Sequence, residues 1–103
     1  MSDTNYVISM VKILEKPIQK VLKGNIAVTK FRAQLPQIRN NRIITIILWG
    51  NLAHDIVNYY KLNDYIMIEG YLSSARRPKD TLLQSSQKLY ITVTKLYSIK
   101  TSV

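Results

Sequence analysis

Four stretches of the chain alternate apolar and polar residues with a period of two: Asn25 to Leu35, Arg42 to Trp49, Tyr65 to Leu72 and Lys88 to Tyr97. Each is rich in Ile, Val, Thr or Tyr, side chains that suit a pleated, half-buried surface. A fifth run, Tyr6 to Leu14, stops short of Pro17, which lacks the N–H that a strand ladder needs. Residues of turn chemistry fill the intervals: Lys23-Gly24-Asn25, Pro36 to Asn41, Leu62 to Asp64 and Arg77-Pro78-Lys79-Asp80. One segment breaks the period. Asn51 to Lys61 sets Leu52, Ala53, Ile56, Val57 and Tyr60 on a single helical face, with Asn51 as N-cap after Gly50 and Lys61 at the negative end of the dipole. Three strands, one helix and two strands predict an all-β, five-stranded OB-fold barrel, with the helix between strands 3 and 4 plugging one end.

Length and composition narrow this to a single OB-fold domain over 1–103, without repeats, low-complexity tracts or a linker. The longest apolar run, Ile43 to Trp49, is interrupted by Thr45 and is strand-sized, far below the roughly 18 residues of a membrane span. Met1-Ser2-Asp3-Thr4-Asn5 is neither a basic signal start nor an Arg-rich transit peptide, so the expected site of action is where the chain is made. Cysteine is absent and His54 is the single histidine, which argues against disulfides, thiolate or zinc sites and a cysteine nucleophile. Asp55, Asp64 and Glu69 form no catalytic pair, and no Gly-rich phosphate loop is present. The expectation is a non-enzyme with no cofactor, no metal and no small-molecule substrate.

Charge then changes the picture. Fifteen Lys and Arg face six Asp and Glu, for a net charge of +9 and an isoelectric point near 9.9. Such a balance points to a polyanionic partner, nucleic acid first and an anionic membrane surface as its rival. The abundance of Ile, Lys, Asn and Tyr, all with AT-rich codons, suggests an AT-rich and plausibly organellar genome. It also means that some lysines reflect codon bias rather than binding.

The stretch Ile47-Leu48-Trp49-Gly50-Asn51-Leu52-Ala53, followed by Tyr59-Tyr60-Lys61 and Tyr65-Ile66-Met67-Ile68-Glu69-Gly70-Tyr71-Leu72, resembles the bacterial-type single-stranded-DNA-binding (SSB) family. There a strand ends in an aromatic residue and Gly, a helix opens with a polar residue and Leu-Ala, and the next strand ends Glu-Gly-x-Leu. Asn5-Tyr6-Val7-Ile8 and Pro17 match loosely, so the resemblance covers nearly the whole chain. Within the family the chain looks most like the small SSB-like proteins of red-algal plastids, which implies a plastid location, with the cytoplasm as the alternative. Gly50 would let the chain leave a strand sharply, and Gly70 would relieve crowding where a strand bends.

The resemblance implies sequence-tolerant binding of single-stranded DNA in replication or repair, through a basic groove and aromatic stacking. Trp49 matches a base-stacking position of the family; a buried core tryptophan is the other reading. Counting by twos groups Thr45 and Ile47 with Trp49 and leaves Ile44, Ile46 and Leu48 to the core. Lys30, Arg32, Arg39, Arg42, Arg76, Arg77 and Lys79 are the candidate phosphate contacts, each of which could equally be a solvated surface charge. Lys16, Lys20, Lys23, Lys95 and Lys100 read as solubility charges and His54 as a surface residue. Two departures stand out. Ile43 occupies the place of a second stacking tryptophan, and Ser73, Ser74, Ala75, Arg76 and Arg77 replace a basic run that ends in one. The family's acidic C-terminal tail has no counterpart in Lys100-Thr101-Ser102-Val103. A homo-dimer or homo-tetramer is implied, with Tyr6, Ile44 and Met67 suited to its interface or to ordinary core. A primosomal-type OB protein-interaction module and an RNA-binding OB module are the alternative functions.

Overall fold

A computed structural model describes residues 5–36, 42–76 and 87–99. The elements are β1 (Asn5–Ile13), β2 (Ile18–Leu22), β3 (Ile26–Leu35), β4 (Arg42–Trp49), α1 (Asn51–Tyr59), β5 (Tyr65–Arg76) and β6 (Gln87–Ser98). All the expected strands and the helix are present. β2 is additional, and its three consecutive exposed residues Lys20, Val21 and Leu22 explain why no period-2 signal marked it. It pairs antiparallel with β3 from Ile18↔Lys30 to Leu22↔Ile26. Since β1 reaches the same strand at Lys12↔Gln34 and Ile13↔Ala33, β1 and β2 act as two halves of one strand broken before Pro17. The sheet runs β1-β5-β6-β4-β3-β2, and the β1–β3 pairing returns it to its start. This is the OB-fold, with its first strand split.

The inner face follows from the alternation. Phe31 and Ala33 on β3, Ile44, Ile46 and Leu48 on β4, and Ile66 and Ile68 on β5 are buried together. Each fully buried Ile or Leu contributes about 1.5–3 kcal/mol. Ala53 and Ile56 of α1 complete the core from one end, while Val57, expected on the same face, is exposed. The hydroxyl of buried Thr29 donates to the Ala53 carbonyl at 2.9 Å and ties the first turn of the helix to β3.

Two expectations about α1 need correcting. The N-cap is Gly50, not Asn51. Gly50 adopts φ 63°, which turns its carbonyl to accept from Ala53 N at 3.0 Å and His54 N at 3.3 Å, so Asn51 is already helical and caps nothing. Lys61 lies beyond the helix, where its N–H donates to Asp64 Oδ2 at 2.9 Å and shapes a turn rather than answering the dipole.

Gly70 marks a second backbone constraint. The β5–β6 register shifts between Glu69↔Lys95 and Gly70↔Val93, leaving Thr94 as the extra residue of a bulge. A Cβ at Gly70 would overlap the Thr92 carbonyl oxygen and lie 2.9 Å from Val93 Cα. The two glycines therefore differ in kind. Gly70→Ala should destabilise by about 2–4 kcal/mol, because backbone must move. Gly50→Ala meets open space, and its cost is the roughly 1–3 kcal/mol of holding a side-chain-bearing residue at φ 63°, ψ −131°, a region that glycine alone populates readily. Urea midpoints should fall for both variants, and an unchanged midpoint would contradict the constraint assigned to that glycine.

Candidate nucleic-acid interface

The outer face of the barrel is built by the residues that alternate with the core. On β4 these are Ile43, Thr45, Ile47 and Trp49, and on β3 they are Val28, Lys30, Arg32 and Gln34. Pairing sets them in rows: Val28↔Trp49, Lys30↔Ile47, Arg32↔Thr45 and Gln34↔Ile43. The parallel β4–β6 pairing extends two of these rows through Thr45↔Tyr90 and Ile47↔Thr92. On the other side, β2 contributes Lys20 opposite Val28 and Ile18 opposite Lys30. The result is an aromatic and aliphatic strip edged by cations.

Trp49 is 45% exposed and points away from the core, so its ring is open to a ligand. Lys30 is exposed on the same face, beside Ile47. Arg32 is also on this face, but its guanidinium is engaged: Nη2 and Nε lie 3.3 Å from Glu15 Oε1. Arg42 belongs to the other parity. It opens β4 opposite Leu35, in step with Ile44, and is exposed only because the strand begins there. That separates it from Trp49, Lys30 and Arg32. Arg76 ends β5 opposite Gln87. Arg39, Arg77 and Lys79 lie outside the described residues.

Sequence reasoning missed two members of this face. Tyr90, half-buried, lies beside Thr45 and one row from Trp49's neighbour Ile47. Its strand parity was readable, but the parallel register that brings it to β4 was not. Lys20, assigned to solubility, occupies the row of Val28 and Trp49. No signal marked it, since β2 itself was not recognisable. Ile43, in the place of a second stacking tryptophan, is 56% exposed. It offers apolar surface to a ligand but no π face.

A second outer surface lies on β1, β5 and β6. Tyr6, Ile8, Met10, Met67, Tyr71 and Tyr97 are all exposed there, in rows that include Met10↔Met67 and Met67↔Tyr97. The Tyr6 and Tyr71 rings meet edge to face at 5.0 Å. Tyr6 and Met67 thus have exposed side-chain surface on this face. Ile44 does not: at 1% exposure it is core, on the inner face of β4, and has no surface to give a second chain.

The charge within this patch is satisfied. Tyr97 Oη donates to Glu69 Oε1 and Tyr6 Oη to Glu69 Oε2, both at 2.7 Å, with Thr94 Oγ1 2.9 Å from Tyr6 Oη. The bond from Tyr97, then that from Tyr6, lowers the Glu69 pKa from its ordinary value. Tyr97 is raised, chiefly by the same carboxylate. On Tyr6 the Thr94 hydroxyl pulls downward, but Glu69 and desolvation leave it raised overall. Glu69's contribution is therefore present above the ordinary carboxylate pKa of about 4.3 and disappears as pH falls through its lowered value. The tyrosines' contribution is present below about 10 and disappears as pH rises through their raised values. Carboxyl-carbon NMR should show Glu69 titrating below the ordinary range, and Tyr97→Phe should move it upward.

Among the described residues no helix is long and apolar enough to cross a membrane. No family model matches the chain. Over 73 residues the chain is 44% identical to a protein of Trieres chinensis, ycf41, whose name provisionally describes it as a single-stranded-DNA-binding protein; the match covers 67% of this chain. The chain spans about 65% of that relative's length. Three solved structures share the fold. The SSB domain of a Synechococcus protein superimposes with TM-score 0.73 at 22% identity, over 94% of this chain and 98% of that one. The second single-stranded-DNA-binding protein of Mycobacterium smegmatis gives 0.73 at 18%, over 93% and 89%. A small single-stranded-DNA-binding protein of Streptomyces coelicolor gives 0.79 at 13%, over 95% and 96%.

Proposed function

We propose that the chain is a sequence-tolerant single-stranded-DNA-binding protein of DNA replication or repair, working without catalysis. The ligand crosses the outer face of β3, β4 and β6. The observation that carries this reading is the exposed ring of Trp49, on one face with Lys30, Arg32 and Lys20. That is the pairing of stacking platform and cationic track that binding without base readout requires. The chain's +9 charge supplies the long-range attraction, and the similarity to the Trieres chinensis protein supports the same assignment. The abundance of residues with AT-rich codons and the plastid resemblance support a plastid location.

Affinity is expected to be modest. Ile43 cannot stack, and each missing aromatic platform costs about 1–3 kcal/mol. Tyr90 offsets part of that deficit. Binding should therefore lean on electrostatics and weaken with salt, with a log–log slope near −0.7 per phosphate neutralised. Titration of oligo-dT should quench Trp49 emission, and Trp49→Ala should weaken binding by about 1–3 kcal/mol, roughly five- to 150-fold. Binding with emission unchanged would remove Trp49 from the interface. A matched ribo-oligomer that binds more tightly would favour the RNA-binding alternative. Recovery of a replication partner, with oligonucleotides bound only at very low salt, would favour the primosomal-type module.

The same reading assigns the β1–β5–β6 outer face, including Tyr6 and Met67, to a homo-dimer or homo-tetramer. From Asn5 to Val11 the edge of β1 opposite β5 has no strand partner among the described residues, so backbone groups are available to a second copy. Met67→Glu would set a second carboxylate beside Glu69 on this face. It should lower the mass measured by light scattering while leaving the far-UV circular dichroism of the folded chain unchanged. An unaltered mass would move the interface elsewhere.

A further inference from the structure

We propose that Glu15 is an internal competitor for phosphate at Arg32, holding this cation out of the nucleic-acid track until a ligand displaces it. The inference rests on the single-strand-binding reading and names a control element within that site.

The geometry arises from the break between β1 and β2. β1 leaves β3 at Ile13↔Ala33 and β2 joins it at Ile18↔Lys30, so the β3 backbone between these points lacks a regular ladder partner. Local groups fill the gap. Leu14 N donates to the Arg32 carbonyl at 3.0 Å, and Arg32 N donates to Glu15 Oε2 at 2.8 Å. The second oxygen, Oε1, receives Arg32 Nε and Nη2, each at 3.3 Å. Glu15 therefore uses one oxygen on the backbone and the other on the guanidinium fork, the edge that a phosphate would take.

Both side chains remain open to solvent, Arg32 at 64% and Glu15 at 43%. An exposed ion pair shifts an equilibrium by only a few-fold, so a polyanion can displace it. The backbone bond keeps the carboxylate nearby, so displacement needs only the guanidinium to swing free. Among the cations of this face, Lys30 and Lys20 have no acidic partner among the described contacts, whereas Arg32 does. In the resting protein the cationic track is thus weaker than its count of basic residues implies.

Glu15→Gln removes the charge but keeps an oxygen that can accept the Arg32 N–H, so the β1–β2 junction should stay intact, as a thermal melt will verify. In titrations of the full chain with oligo-dT at several salt concentrations, the variant should bind about two- to fivefold more tightly at low salt. Its log–log slope should stay close to that of the wild type, because Arg32 neutralises a phosphate in both complexes, whereas Arg32→Gln should flatten the slope by about 0.7. Asp55→Asn on α1, off this face, makes the same change in net charge and should tighten binding much less. In an Arg32→Gln background the gain from Glu15→Gln should vanish. A gain no larger than that of Asp55→Asn, or one that survives without Arg32, would overturn the proposal while leaving single-strand binding in place. Absence of binding by the wild-type chain and every folded variant at low salt would overturn both.

Discussion

The close approach of β5 to β6 at Gly70 is the constraint on which the barrel and both of its outer faces depend. The Gly70 Cα lies so near the Thr92 carbonyl that no side chain fits. The bulge at this point gives β6 one more residue than β5 and bends the pair. With that bend β6 can remain paired to β5 and still lie parallel to β4 over Thr45 to Ile47. The ring would otherwise remain an open sheet. Its inner face would then expose Ile46, Ile68 and Ile91, now 0–2% accessible.

Closure also decides what the outside looks like. Apart from β2, the strands turn alternate residues inward, so the residues left outside form continuous rows from β2 to β1. One such row runs Ile18, Lys30, Ile47, Thr92, Tyr71, Tyr6. Its β3–β4 end is cationic and its β5–β1 end aromatic. The two ends belong to one sheet face and join where Tyr71 and Thr92 are cross-strand neighbours.

Two carboxylates are built into this cationic exterior in contrasting ways. Glu69 is held by two phenols, and its charge is neutralised by no ion pair within the described residues. Glu15 is held by backbone and guanidinium together, and so subtracts from the local positive charge. Placement, rather than the count of acids, determines which of them affects an approaching anion.

Much of this was legible along the chain. Period-2 alternation identified five of the strands, because each is buried on one face only. The parity of Trp49 against Leu48 was readable for the same reason. Gly50 and Gly70 were recognisable as backbone positions through the motif they belong to, and their separate reasons, a positive φ and a close approach, emerged from the structure. What the tertiary structure alone decided was everything that depends on pairing between distant segments. β2 carries no alternation, so only its partner β3 reveals it as a strand and Lys20 as a neighbour of the Trp49 row. The parallel β4–β6 register places Tyr90 beside Thr45, and no local pattern encodes a register. Ile44, which the sequence left between interface and core, is 1% exposed and belongs to the core. A chain's local order sets which side chains turn inward; only closure of the ring sets which outward ones meet.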